Sequence, residues 1–130
     1  MKNNELYQLA IESREKSYSP YSELKVGSSI KFRNNSQLFG GCNIENASFG
    51  GTICAERCAI LKGLSELGAK NILEEVWVVI DMEKEFFPCG ICLQTISEFA
   101  DKETTIHLAT PEKLIKSYKF NELLPKVFKM

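Results

Sequence analysis

Three cysteines and one glutamate carry the chemistry that this sequence can offer: Cys54-Ala55-Glu56 and, further along, Pro88-Cys89-Gly90-Ile91-Cys92. Three thiols can supply three zinc ligands at about 2.3 Å each and leave the fourth tetrahedral position for water, the arrangement of a catalytic site and not of a closed structural one. Glu56 follows the first thiol at a spacing that places its carboxylate to handle that water's protons. Zinc draws the pKa of bound water toward about 7, and a nearby carboxylate can take the released proton and pass it on.

Other readings of the same residues stay open at this level. Cys89 and Cys92 alone would fit a redox C-x-x-C motif at a helix start, and the Cys54-Ala55-Glu56 element argues against it. Cys58 lies one helical turn beyond Cys54 and could close the site as a fourth thiolate, making it structural. Otherwise Cys58 and Cys42 read as small packed hydrophobes. The chain has 5 cysteines, an odd number, with three at ligand spacing, so a disulfide framework is a poor reading. His107, the single histidine, has no ligand spacing to any cysteine and reads as a packed or surface residue.

These groups must be positioned by a chain of 130 residues, long enough to bury well over half of the surface it exposes when unfolded. Residues 1–130 read as a single domain, without repeats, low-complexity tracts or linkers. The 44% hydrophobic and 25% charged residues are ordinary for a globular protein, and a net charge of −1 offers no basic field for a polyanion. No nucleic-acid partner is expected. No apolar run approaches the roughly 20 residues needed to cross a bilayer, and the polar start lacks a signal-peptide stretch, so neither membrane association nor export is expected. The expected location is cytoplasmic.

Residues 3 to 17 place Leu6, Leu9, Ala10 and Ile11 on one stripe, an amphipathic helix that Pro20 should end. Residues 25 to 32 and 37 to 43 read as a hairpin around Arg33-Asn34-Asn35-Ser36. Thr52 is a good N-cap for a helix over 53 to 67, with Gly68 as its stop. Cys54 and Glu56 then sit in the first turn, where unpaired amides and the helix dipole favour thiolate. The apolar run over 75 to 80 predicts a strand covered on both faces. Pro88 opens a second thiol-bearing helix of about ten residues, 104 to 109 form another strand, and a short strand near 117 to 120 precedes a helical turn. The expected fold is a three-layer α/β/α sandwich with a mixed sheet and a metal held between two helix N-termini.

The order of motifs matches H-x-E followed by P-C-x-x-C in zinc-dependent nucleobase deaminases, with Cys54 at the histidine position. Gly41-Cys42-Asn43-Ile44-Glu45-Asn46-Ala47-Ser48-Phe49 and Thr52 to Arg57 resemble the small homotetrameric cytidine deaminases. So do Pro20-Tyr21-Ser22, Val26-Gly27, Glu122-Leu123-Leu124-Pro125 and Phe128, so that the resemblance spans nearly the whole chain. It implies a five-stranded mixed sheet, one zinc held by Cys54, Cys89 and Cys92, and Glu56 as the catalytic proton carrier. It implies that Asn43 and Glu45 hold the sugar of a pyrimidine nucleoside, that the backbone at Ala55 meets the pyrimidine edge, and that Leu24 flanks the base. Phe49 and Phe128 would reach a neighbouring subunit's pocket in a homotetramer, and Arg57 would donate to the ligand sulfurs, offsetting their charge. The implied reaction is hydrolytic deamination of cytidine and deoxycytidine in pyrimidine salvage. The rivals are a deaminase for another cytosine nucleoside such as blasticidin S and, from a different class, a structural zinc or redox module. Leu24 stands where the relatives usually have phenylalanine, Phe49 where many have tyrosine, and Leu93 where arginine commonly follows the last zinc cysteine.

Overall fold

A five-stranded sheet organises the chain, and its two faces are covered by different helices. The computed structural model describes residues 4–82 and 84–130, so position 3 of the expected first helix lies outside the described residues. In chain order the elements are α1 (Glu5–Arg14), β1 (Val26–Phe32), β2 (Leu38–Cys42), a 3-10 turn (Phe49–Gly51), α2 (Ala55–Leu67), β3 (Leu73–Ile80), α3 (Gly90–Glu98), β4 (Thr105–Ala109), β5 (Leu114–Lys119) and α4 (Phe120–Leu123). The strand order is β2-β1-β3-β4-β5. Only β3 and β4 run parallel, joined by the crossover that contains α3. The mixed α/β sandwich expected from the sequence is the fold observed.

The alternation of strand residues divides the core. Ile30, Phe32, Val76, Val78, Ile106 and Leu108 point to one face, where Ala59 and Ile60 of α2 and Leu93 and Ile96 of α3 pack against them. Trp77, Val79 and Ala109 point to the other, under Leu6, Tyr7 and Ala10 of α1. Leu93 is therefore a core residue, 8% exposed, where an arginine would bury an unpaired charge. Close approach is built into the thiol-bearing side. A Cβ on Gly41 would stand 2.5 Å from the Ala59 backbone nitrogen and 3.0 Å from the Ala55 carbonyl, so only glycine lets α2 lie directly on β2.

Several expected boundaries move, each because tertiary pairing overrides a local signal. The first helix stops at Arg14, well before Pro20, and Tyr18 instead forms a parallel bridge with Ile44. Thr52 is not the N-cap of the second helix. Ile53 is in extended backbone, exchanging hydrogen bonds of 2.9 Å with Ile44, and Cys54 itself occupies the cap position. Likewise Pro88 precedes the third helix without opening it, since Cys89 is its cap and Gly90 its first residue. The last strand begins at Leu114 and ends at Lys119, earlier than the expected 117 to 120, and its exposed residues hide the alternation that would have marked it. Among the described residues, no helix is long and apolar enough to cross a membrane.

Candidate active site

Two helices aim their N-termini at one place, and each is capped by a cysteine whose side chain makes no capping hydrogen bond. The caps are left free to point their sulfurs at one another. Cys54 Sγ lies 3.7 Å from Cys89 Sγ, which lies 3.6 Å from Cys92 Sγ. The three sulfurs all stand within 4.8 Å of one another, and among the described residues they are the metal-competent group. Thiolates arranged tetrahedrally at about 2.3 Å from one zinc stand about 3.8 Å apart, so this donor set fits that ion in both softness and spacing. Cys58 is not in the group, which leaves three candidate ligands and no fourth thiol among the described residues.

The sulfurs share charge unevenly. A hydrogen bond from the Cys92 thiol, assisted by Arg57 and Cys89, lowers Cys54 to about 5 despite its partial burial. The same bond and burial push Cys92 upward. Arg57 lies 3.9 Å from Cys54 Sγ through Nη2, which also donates to the Thr52 carbonyl at 3.1 Å, so the guanidinium is seated beside the sulfurs as expected. Its buried Nε has no hydrogen-bond partner among the described residues.

Glu56 is the second residue of α2 and is 4% exposed. Burial raises its carboxyl to about 7 and the charge of Cys54 adds to this, against the opposing pull of its own backbone N–H, Cys92 and Arg57. Desolvation favours the neutral acid wherever the charged form lacks compensating partners.

A cavity of about 340 Å³ opens above these groups. It brings together Leu24, Asn43, Glu45, Cys54, Ala55 and Glu56, six of the residues singled out from the sequence. Asn43 and Glu45 are tied into the scaffold as well. Asn43 Oδ1 accepts from the Val26 amide at 2.9 Å and from Ser17, while its Nδ2 donates to the Leu24 carbonyl at 2.8 Å. Glu45 Oε1 accepts from the Tyr21 and Ser22 amides at 2.9 and 3.1 Å, and Ser22 Oγ donates to Oε2. These bonds hold Glu45 below the usual carboxylate range, with Ser22 the largest cause.

Phe49 and Phe128 are not brought to this cavity. Phe49, 78% exposed, borders a neighbouring hollow with Tyr21, Ser22, Glu45 and Thr52. Phe128, 67% exposed, lies beside Ser97 and Glu98 at the far end of α3. Sequence reasoning gave no site role to several lining residues: Ser22 and Val26, which it met only as part of the family resemblance, and Ile80, Phe86 and Phe87. The one available signal was an aromatic pair placed immediately before Pro88-Cys89. His107 is remote from the cavity. It stacks on Trp77 at 4.3 Å and is bonded to Ser117 at 2.6 Å and Glu75 at 2.9 Å, the packed role expected of it.

Comparison with known proteins agrees with this geometry. Residues 1–108 match the family described as the cytidine and deoxycytidylate deaminase zinc-binding region. The chain is 39% identical to a cytidine deaminase of Halalkalibacterium halodurans over 119 residues, which are 92% of this chain and 88% of that one. It is 37% identical to the Mycoplasma pneumoniae cytidine deaminase over 113 residues, covering 86% and 83% of the two chains. The fold superposes on the crystal structure of cytidine deaminase from Burkholderia pseudomallei with a TM-score of 0.88 at 32% identity, over 98% of this chain and 100% of that one. With Cys54 and the buried carboxyl of Glu56 lining one cavity, Cys89 and Cys92 clustered on Cys54, and relatives alike over most of their length, the chain belongs to the cytidine and deoxycytidylate deaminase family and is an enzyme of that family.

Proposed function

We propose that this enzyme, working as one catalytic domain, hydrolyses the exocyclic amine of cytidine and deoxycytidine, yielding uridine or deoxyuridine and ammonia for pyrimidine salvage in the cytoplasm. The observation that carries the reading is the buried Glu56 beside Cys54 in the lining of a cavity sized for a small molecule, with the thiols of Cys89 and Cys92 clustered on that of Cys54. Zinc held by those three residues would supply Lewis acidity next to the carboxyl. Every further requirement falls to the chain itself. Glu56 takes a proton from the attacking water, returns it to ring N3 as C4 becomes tetrahedral, and carries another to the departing amine. The unpaired amide of Ala55, first in its helix, is offered to the pyrimidine edge. Arg57 balances the sulfur charge and fixes Cys54.

Asn43 and Glu45 hold the sugar in this reading. Both line the cavity, and their internal bonds support the role, since an amide has two donors and a carboxylate about four acceptor sites. The Asn43 Nδ2 bond to Leu24 leaves one N–H, and Glu45 keeps acceptor capacity while the loop holds it in place. Phe49 and Phe128 are large apolar side chains left exposed by one chain, which supports their seating against neighbouring subunits of a homotetramer.

The test is direct. Purified protein should contain one zinc per chain and release ammonia and uridine from cytidine, and it should sediment as a tetramer. Stoichiometric zinc without turnover of any cytosine nucleoside would leave a structural metal module and end the proposal.

A further inference from the structure

The helix that starts at the clustered sulfurs also holds the segment that follows α4. Gln94 comes directly after Leu93, which is buried in the core, so its side chain stands one step of about 100° further around α3. From there its Nε2 donates to the Phe128 carbonyl at 3.0 Å. Among the described residues this is the one hydrogen bond that reaches residues 125 to 130.

Residues 124 to 130 form no helix or strand. Leu124 and Val127 pack against the core, whereas Phe128, next in line, turns outward beside a hollow of about 330 Å³ that Ser97 and Glu98 also border. Apolar contacts fix where such a segment runs, but they are non-directional and leave its rotation open. A hydrogen bond to one carbonyl is directional and sets that rotation. The bond thus holds the backbone of Phe128 while its ring stays uncovered, and an aromatic side chain presented in this way docks with little further loss of freedom.

We infer that Gln94 is the positioning residue that presents Phe128 to a neighbouring subunit, so that the pocket of one subunit depends on a hydrogen bond made within another. This rests on the proposed homotetramer with Phe128 seated in a neighbour's pocket. The link starts two residues from Cys92, so the helix that carries two sulfurs of its own site also aims a side chain at the next one.

Kinetics of pure and mixed tetramers test it. Gln94→Glu keeps the size of the side chain and replaces the donor with a carboxylate, and Gln94→Leu removes the donor without adding charge. Each should raise KM for cytidine by about two- to tenfold, the worth of one neutral hydrogen bond, with kcat unchanged and zinc retained. Phe128→Ala should raise KM at least as much, and adding Gln94→Leu to it should raise KM no further. Subunits carrying Glu56→Gln turn over too slowly to contribute but keep Gln94. Assembled in excess with Gln94→Leu subunits, they should return KM of the remaining active sites to the unmodified value. A KM that stays raised in these mixed tetramers would confine Gln94 to its own subunit. An unchanged KM in both Gln94 variants, beside a raised one in Phe128→Ala, would mean that the bond positions nothing. Either result overturns the inference and leaves the proposed function standing. A monomeric unmodified enzyme, or an unchanged KM in Phe128→Ala, would overturn the shared pocket and the inference with it.

Discussion

Each face of the sheet carries a cluster of titratable side chains, and the two clusters differ in what they leave unspent. On the α1 face, His107 is bonded through both ring nitrogens, to Ser117 and Glu75, and stacks on Trp77, whose Nε1 also donates to Glu75 at 3.3 Å. Both ring nitrogens of His107, the Trp77 Nε1 and the Glu75 Oε1 are partnered within the chain, and the group lines no described cavity. At the starts of α2 and α3 three sulfurs cluster, and Cys54 with Glu56, buried and raised, lines an opening. A serine, histidine and glutamate in contact resemble catalytic parts by type alone. What separates the clusters is that one closes upon itself and the other faces a space it does not fill.

The largest effects should separate the clusters outright. Cys54→Ala, Cys89→Ala or Cys92→Ala should abolish zinc binding and turnover, whereas Cys58→Ala should keep both, as metal analysis and ammonia release will show. Retained stoichiometric zinc in Cys54→Ala would mean that the converging sulfurs are not the ligand set. Next comes Glu56→Gln, which should keep zinc and fold but lower kcat by about 10²- to 10⁴-fold, the range for removal of a general acid or base. A loss below tenfold would make its burial a matter of packing only.

A smaller effect sharpens the boundary between scaffold and site. Glu45→Ala should lower kcat/KM for cytidine by about ten- to a hundredfold, the worth of a charged hydrogen bond, and much less for free cytosine. Equal losses for both would assign Glu45 to holding the Tyr21–Ser22 loop alone. The smallest effect belongs to the closed cluster. His107 is the main cause that holds Glu75 below its ordinary value of 4.5. A lowered carboxylate adds stability that is fully present above the unfolded value and is lost as pH falls through the lower folded value. Glu75→Gln should therefore cost about 1 kcal/mol or less at pH 7, and the gap from the unmodified protein should close as pH falls below 4.5, with turnover unchanged at pH 7. Denaturant titrations at several pH values measure it.

The site was legible in the sequence because its reacting groups arrive in two short segments, each with its groups one turn apart or less, so that local geometry alone brings Cys89 to Cys92 and Glu56 to Cys54. The strands over β1 to β4 were legible for a similar reason, as apolar runs and a turn cluster mark them locally. What the sequence hid depends on pairing between distant segments. The bridge between Ile44 and Ile53 takes Thr52 away from its cap, and no nearby residue announces it. Phe87 meets Tyr118, far along the chain, and the engaged side chains of Asn43 and Glu45 are visible only once Val26, Leu24 and Ser22 are beside them.

The two cysteine caps have a mechanical consequence. Cys54 and Cys89 stand 35 positions apart, and the chain between them holds all of α2 and β3. A cation shared by their sulfurs acts as a cross-link that closes this stretch into a ring and ties the fraying of two helix starts together. On the scale of a disulfide closing a loop of that length, such a staple is worth about 3 to 4 kcal/mol of chain entropy. Chelation should then loosen the middle of the molecule as a unit, with amide exchange rising together at the first turns of α2 and α3 while α1 keeps its protection.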